Sequence, residues 1–127
     1  MSMDILILDD ETIVGERLKA SLEKDGHCLQ IFTSSVAALE SLKEKIFDIV
    51  VTDIRMDDIS GIEILEHVRK KSLRTKVIMI TGYATLEVAR ESLTKGAFDF
   101  IAKPFKIKEI RKAIEKAAEA LRIEDKG

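Results

Sequence analysis

The chain has 127 residues, of which 46% are hydrophobic and 35% are charged, and its formal net charge is −2. This length suits one domain, so we expect a single domain over residues 1–127. The near-neutral charge gives no case for general attraction to nucleic acid or to a membrane surface, and no apolar run is long enough for a signal peptide or a membrane span. We therefore expect a cytoplasmic protein that neither binds nucleic acid directly nor associates with a membrane.

Short apolar runs alternate along the chain with longer segments of helical periodicity. The predicted strands cover residues 4–8, 27–32, 48–52, 76–80 and 98–101. The predicted helices cover residues 12–24, 34–44, 60–70, 85–94 and 106–122. Strands that alternate with helices predict right-handed crossovers and a parallel sheet.

Local signals support these boundaries. Ser60 followed three residues later by Glu63 is a capping box, which predicts the start of the third helix. Gly26 and Gly96 are expected to end the first and fourth helices, because glycine readily adopts the left-handed conformation found there. In the last helix an apolar stripe at three-four spacing predicts one buried face. The stripe consists of Ile107, Ile110, Ile114, Ala117 and Leu121.

The composition of the strands predicts their order. Runs 5–8, 49–51 and 77–80 are apolar on both faces, as central strands covered by helices must be. The second and fifth strands carry polar residues and are expected at the edges. The resulting order 2-1-3-4-5 predicts a doubly wound, flavodoxin-like α/β fold with helices on both faces and a ligand crevice between strands 1 and 3. Cys28, the only cysteine, is predicted to be buried in the second strand as a small hydrophobe.

Polar side chains with complementary chemistry stand at the ends of four of these strands. Asp9 and Asp10 follow the first strand, Asp53 follows the third, Thr81 follows the fourth, and Lys103 comes just after the fifth. Parallel strands place these ends along one edge of the sheet. Three neighbouring carboxylates repel one another unless a cation or protons relieve the repulsion. Oxygen ligands suit Mg²⁺, and an ammonium and a hydroxyl suit the oxygens of a phosphoryl group.

Each of these residues also has an ordinary structural explanation. Asp9 and Asp10 can favour the N-terminus of the first helix through its dipole. Asp53 can be a turn residue, Thr81 a strand exit, and Lys103 part of a tight turn before a helix. The four explanations are independent, whereas one phosphoryl site explains all of the strand ends together.

The residues that carry this chemistry make the chain similar to a known family. Residues 5–11 (ILILDDE), 50–56 (VVTDIRM), 78–82 (IMITG) and 96–105 (GAFDFIAKPF) occur in an order and spacing that resembles the receiver domain of bacterial two-component response regulators. The similarity covers nearly the whole chain. The acceptor loop and residues 98–105 look most like receivers of nitrogen-regulation-type transcriptional activators.

The resemblance implies a phosphoacceptor and a metal site. Asp53 would accept a phosphoryl group from a phosphohistidine on a sensor histidine kinase. Asp10 and Asp53 would bind Mg²⁺ directly, with Mn²⁺ as a possible substitute, Asp9 would act through water, and the backbone carbonyl of Arg55 would complete the protein ligands. Thr81 would bind phosphoryl oxygens.

The resemblance also implies how phosphorylation would change the conformation of the domain. Lys103 would join Thr81 in binding the phosphoryl group, and the Lys103–Pro104 peptide bond would be cis. The Thr81 hydroxyl would move toward the phosphoryl group and Phe100 would turn inward, the alternative being a static hydrophobic Phe100. Arg55 and Tyr83 would modulate hydrolysis. The readout surface would be the fourth helix, the fifth strand and the fifth helix, which could contact a second copy of the chain or an output domain.

One loop departs from the family pattern. The family often has proline after the methionine of the acceptor loop, but Met56 is followed here by Asp57 and Asp58. The loop therefore lacks a fixed φ angle and gains two acids. We expect Asp57 and Asp58 to be solvated acids and not extra ligands.

Two other functions fit parts of the pattern. A Mg²⁺-dependent phosphohydrolase with an aspartate nucleophile commonly has a second acid two residues later, but that position after Asp53 is Arg55. A flavodoxin-like redox module needs a phosphate-binding loop after the first strand, where Asp9 and Asp10 would repel phosphate. We therefore favour a signalling module that catalyses only its own phosphorylation and dephosphorylation. The sequence leaves open whether the chain is a complete regulator or a piece of a longer transcriptional activator.

Overall fold

The computed structural model describes residues 2–126, in which strands and helices alternate as predicted. The strands are β1 (Asp4–Leu8), β2 (Cys28–Phe32), β3 (Ile49–Asp53), β4 (Lys76–Thr81) and β5 (Asp99–Ala102). The helices are α1 (Thr12–Lys24), α2 (Ser35–Glu44), α3 (Gly61–Lys71), α4 (Leu86–Thr94) and α5 (Ile107–Lys126). Three ends differ from the prediction in ways that matter. Strands β3 and β4 include Asp53 and Thr81 as their last residues, and α5 extends to Lys126 and not only to residue 122.

The five strands form one parallel sheet in the order β2-β1-β3-β4-β5, which confirms the predicted topology. The polar second and fifth strands are the edges. In register, Leu8 lies beside Thr52, and Asp53 lies beside Ile80. Chain order reverses between β1 and β3, so the crevice outside their carboxyl ends is the expected binding position in this class of sheet.

Helices cover both faces of the sheet and create two cores. The first core lies between the sheet and helices α1 and α5, and the second core lies between the sheet and helices α2, α3 and α4. Successive residues of a strand enter opposite cores: Ile5 and Ile7 enter the first, and Leu6 and Leu8 enter the second. This arrangement explains why the central strands are apolar at every position.

Helix α5 and the helix ends follow the local sequence signals. The predicted stripe of α5 packs into the first core, where four of its members are buried and Ile107 is partly buried. Gly26 and Gly96 have φ angles of 88° and 102°, the left-handed values expected after a helix. The Ser60 hydroxyl accepts from the Glu63 amide at 3.2 Å, which is one of the two hydrogen bonds of the predicted capping box.

The prediction that Cys28 is buried is wrong, because the residue is exposed. Strand β2 is an edge strand, and its Cys28 and Gln30 side chains both face solvent. Leu29 and Ile31, on the other face, pack against the first core. Within residues 2–126, the helices lack the combination of length and apolar character needed to cross a membrane.

Candidate functional site

The predicted site residues meet at the carboxyl edge of the sheet. Asp9 follows β1, Asp53 ends β3, Thr81 ends β4, and Lys103 follows β5. The amide of Lys103 donates to the carbonyl of Thr81 at 2.8 Å, which holds the two neighbouring strand ends together. The structure therefore brings these side chains to one place, as the sequence predicted.

The ammonium group of Lys103 lies among carboxylates. Its Nζ atom is 2.7 Å from Asp9 Oδ2 and 3.2 Å from Asp53 Oδ2. A third contact, 3.1 Å to Glu11 Oε1, was not predicted from the sequence. Asp9 and Asp53 are 2% and 5% exposed, so both carboxylates depend on protein groups for most of their stabilisation.

Backbone amides hold one oxygen of each buried carboxylate. The amide of Glu11 donates to Asp9 Oδ1 at 2.8 Å, and the amide of Ile54 donates to Asp53 Oδ1 at 2.8 Å. The second oxygen of each aspartate, Oδ2, is the one that contacts Lys103. The amides of the residues that follow β1 and β3 therefore orient both Oδ2 atoms toward Lys103.

The acidic residues form a group that fits a divalent cation. Asp9, Asp10 and Asp53 each offer a carboxylate oxygen, and these oxygens lie within 4.8 Å of one another. Asp9 Oδ2 is buried, forms an ion pair with Lys103 Nζ at 2.7 Å, and accepts no hydrogen bond of good geometry from residues 2–126. Hard oxygen donors with excess negative charge and one unsatisfied buried oxygen suit Mg²⁺.

Burial disfavours the charged forms of Asp9 and Asp53. Burial is the main cause that raises the pKa of Asp9, and the contacts with Lys103 and the Glu11 amide only partly oppose it. Burial and then the negative charge of Asp9 raise the pKa of Asp53. Burial opposes the charge of Lys103, but the close contacts with Asp9 and Glu11 and the negative charge of Asp53 outweigh burial and raise the pKa of Lys103.

Helix α3 packs directly against the end of β3. The amide of Gly61, the first residue of α3, donates to the carbonyl of Ile54 at 2.8 Å. A Cβ atom at position 61 would lie 2.8 Å from the Cα of Ile54 and 2.9 Å from the carbonyl carbon of Asp53. Only glycine permits this approach, so α3 fixes the backbone that carries Asp53.

Two side chains predicted to be modulators contact each other. The guanidinium carbon of Arg55 lies 3.6 Å from the centroid of the Tyr83 ring, and both residues are exposed. The amide of Tyr83 donates to Thr81 Oγ1 at 3.0 Å. The sequence predicts that both residues flank the site but not that they touch, because no local pattern indicates a contact between two loops.

Three further sequence predictions concern Phe100, the acceptor loop and the Lys103–Pro104 peptide bond. Phe100 is half-buried and packs against the second core. Asp57 and Asp58 are exposed and stand outside the group of three aspartates, as expected for solvated acids. The Lys103–Pro104 peptide bond is cis.

Comparisons with known proteins identify the family of the chain. Residues 5–115 match the family described as the response regulator receiver domain. Transcriptional regulatory protein ZraR of Escherichia coli K12 is 33% identical over 116 residues, which are 91% of this chain and 26% of that protein. The chain thus spans about a quarter of the length of the curated relatives it matches.

Solved structures show the same fold. A CheY-like receiver domain from Methanospirillum hungatei JF-1 has a TM-score of 0.92 and 31% identity, with 98% of this chain and 99% of that chain covered. The beryllofluoride-activated receiver domain dimer of NtrC4 has a TM-score of 0.87 and 30% identity, covering 93% of this chain and 98% of that one. These matches favour a signalling module over a phosphohydrolase or a redox module. The chain belongs to the response regulator receiver domain family.

Proposed function

We propose that the chain is a signalling switch that accepts a phosphoryl group on Asp53 from a phosphohistidine of a sensor histidine kinase. The observation that carries the proposal is the position of the Asp53 carboxylate. It ends a central strand at the switch point of the sheet, one oxygen is held by the Ile54 amide, and the other lies 3.2 Å from Lys103 Nζ.

The nucleophile is the carboxylate oxygen of Asp53 that faces Lys103. Asp53 Oδ2 attacks phosphorus while the bond between phosphorus and the histidine nitrogen breaks, and the bonding electrons return to the imidazole. Lys103 neutralises negative charge on the incoming group as a point charge. The Thr81 hydroxyl, whose oxygen already accepts from the Tyr83 amide, keeps its proton to donate to a phosphoryl oxygen.

The acidic group at the strand ends would hold Mg²⁺, or Mn²⁺ in its place. Asp10 and Asp53 would be direct ligands, Asp9 would act through a water molecule, and the backbone carbonyl of Arg55 would be the remaining protein ligand. A bound divalent cation offsets the charge repulsion between a carboxylate nucleophile and a phosphoryl group. The unsatisfied Oδ2 of Asp9 supports this assignment.

Phosphorylation would change a surface of the domain through two residues. Thr81 moves to donate to the new phosphoryl group, and Phe100 turns further into the space beside it. Because Phe100 is only half-buried, an inward turn would bury more of its ring, and packing alone would hold the inward state because phenylalanine cannot donate a hydrogen bond.

The readout surface would consist of α4, β5 and α5. On α4 only Ser92 is buried, while Leu86 is 66% exposed, so this helix is available to a partner. The partner would be a second copy of the chain or an output domain, and the dimer of the NtrC4 receiver supports the first.

We also propose that residues 1–127 form one receiver domain and that the protein acts in the cytoplasm. The domain would not bind nucleic acid directly. It would have no enzymatic activity beyond its own phosphorylation and dephosphorylation.

Intact-mass spectrometry tests the proposal. The protein is incubated with acetyl phosphate and Mg²⁺, and the wild type should gain the mass of one phosphoryl group. Asp53→Asn should not gain it. Asp57→Asn is the matched control, because it removes an exposed acid four residues away and should be phosphorylated like the wild type.

Two results would contradict the proposal. One is a mass gain in Asp53→Asn equal to that of the wild type. The other is sustained turnover of a small phosphate ester such as p-nitrophenyl phosphate without a stable mass gain, which would support the phosphohydrolase instead.

A further inference from the structure

The contact between Arg55 and Tyr83 has no part in the metal site or in the switch proposed above. The guanidinium carbon lies 3.6 Å from the ring centroid, which is a close cation–π contact. Arg55 lies two residues after Asp53, and Tyr83 lies two residues after Thr81. The contact therefore joins the loop after β3 to the loop after β4, beside the proposed acceptor.

Tyr83 is connected through its backbone to both the site and helix α4. Its amide donates to Thr81 Oγ1 at 3.0 Å, and its carbonyl accepts from the Thr85 amide at 3.0 Å. Thr85 in turn caps α4, since its hydroxyl accepts from the Val88 amide at 3.2 Å. The position of Tyr83 therefore affects the start of α4, the helix with the fewest buried residues, of which only Ser92 is buried.

A phosphoryl group on Asp53 would compete with the ring for the guanidinium. Lys103, the nearest ammonium, already contacts Asp9, Glu11 and Asp53. Phosphorylation adds further negative charge and strong acceptor oxygens at Asp53. An exposed cation–π contact is weaker than a charge-assisted bond between a guanidinium and a phosphate, so the guanidinium is expected to leave the ring.

We propose that Arg55 is a phosphoryl-binding residue: when Asp53 is phosphorylated, the Arg55 guanidinium leaves the Tyr83 ring, binds a phosphoryl oxygen and frees Tyr83 together with the start of α4. This inference rests on the proposed phosphorylation of Asp53. It adds a second route from the acceptor to α4, which runs through the loops and does not require Phe100 to move.

The composition of the chain supplies a direct reporter of this exchange. Tyr83 is the only tyrosine and there is no tryptophan, so tyrosine fluorescence comes from Tyr83 alone. The guanidinium covers one face of the ring and shields it from acrylamide, a neutral quencher. The acrylamide quenching constant of Tyr83 therefore measures whether Arg55 is on the ring.

The experiment compares three proteins before and after acetyl phosphate and Mg²⁺, with intact mass confirming phosphorylation in each sample. In the wild type the quenching constant should rise on phosphorylation to the value of Arg55→Gln. Arg55→Gln should show the high value throughout, because it lacks the guanidinium but keeps the backbone carbonyl. Lys19→Gln, which removes one exposed positive charge on α1, should respond like the wild type.

The outcomes separate the inference from the function on which it rests. If the wild type gains the phosphoryl mass but its quenching constant does not rise, Arg55 stays on the ring and the inference is overturned. The same holds if phosphorylated Arg55→Gln shows a rise as large as that of the wild type. A failure of the wild type to gain mass would overturn the phosphorylation of the domain itself.

Discussion

The close packing of α3 against β3 predicts that Gly61→Ala damages the acceptor. The new Cβ atom would lie 2.8 Å from the Cα of Ile54 and 2.9 Å from the carbonyl carbon of Asp53, whereas ordinary contacts begin at 3.4 Å. The opposing atoms are backbone, so no side-chain rotation can relieve the overlap. Either α3 or the end of β3 must therefore move, and Asp53 moves with it.

Two effects of this substitution oppose each other. Overpacking of a tight contact costs about 1–3 kcal/mol. Alanine regains roughly 0.5–1 kcal/mol over glycine within a helix, and less at its first residue. The free energy of unfolding should thus fall by about 1–2 kcal/mol, and the rate of phosphorylation by acetyl phosphate should fall by about 10-fold to 100-fold, because small misplacements of reacting groups are costly.

Urea denaturation followed by circular dichroism and a time course of intact mass measure the two effects. Gly82→Ala is the control, since a Cβ atom there meets nothing within 4 Å although Gly82 adjoins Thr81. Its stability should stay within about 0.5 kcal/mol of the wild type. Equal stability and equal phosphorylation rates for Gly61→Ala and Gly82→Ala would refute the argument that α3 positions the acceptor.

Three further predictions concern the acids, the cation and the switch. In the presence of a chelator, Asp9→Asn should be more stable than the wild type at pH 7 but not near pH 3.5, because burial raises the pKa of Asp9 in the folded state. The wild type therefore loses stability as the pH rises from the unfolded-state pKa of about 4 through the folded-state pKa. Urea melts at both pH values check this, and equal stability at pH 7 would contradict it. In a thermal melt, the Tm of the wild type should rise with the logarithm of the Mg²⁺ concentration, and Asp10→Asn should lose most of that rise. If the Tm of Asp10→Asn rises as much as that of the wild type, Asp10 is not a metal ligand. Phe100→Ala should gain the phosphoryl mass but show a smaller change in hydrogen exchange over α4 than the wild type, with the remaining change confined to the start of the helix; a change as large and as extensive as that of the wild type would exclude Phe100 from the switch.

The fold could be predicted because the polarity of each strand indicates whether it lies in the centre of the sheet or at an edge. Residues 5–8 and 77–80 are apolar throughout, which requires helices on both faces, and the polar residues of β2 and β5 identify the edges. The site followed from the fold, because parallel strands bring their carboxyl ends to one edge. Asp53 and Lys103 could thus be paired although 50 residues separate them.

The features that were missed depend on contacts between loops or on which face of a strand turns outward. No sequence pattern in either loop predicts that Arg55 stacks on Tyr83. The bond from Lys103 to Glu11 depends on a side-chain conformation, and Glu11 alone is typical of a helix start. Cys28 was misplaced because the apolar residues around it suggested burial, whereas an edge strand buries only alternate residues.

The identity of the phosphorylated residue tests the central claim most directly. Sodium borohydride reduces an aspartyl phosphate to homoserine, so treatment after incubation with acetyl phosphate and Mg²⁺ marks the acceptor for peptide mass spectrometry. We predict homoserine at position 53 in the wild type. Homoserine at position 9, 10 or 57, or no homoserine in protein that carries the phosphoryl mass, would contradict the assignment of Asp53 as the acceptor.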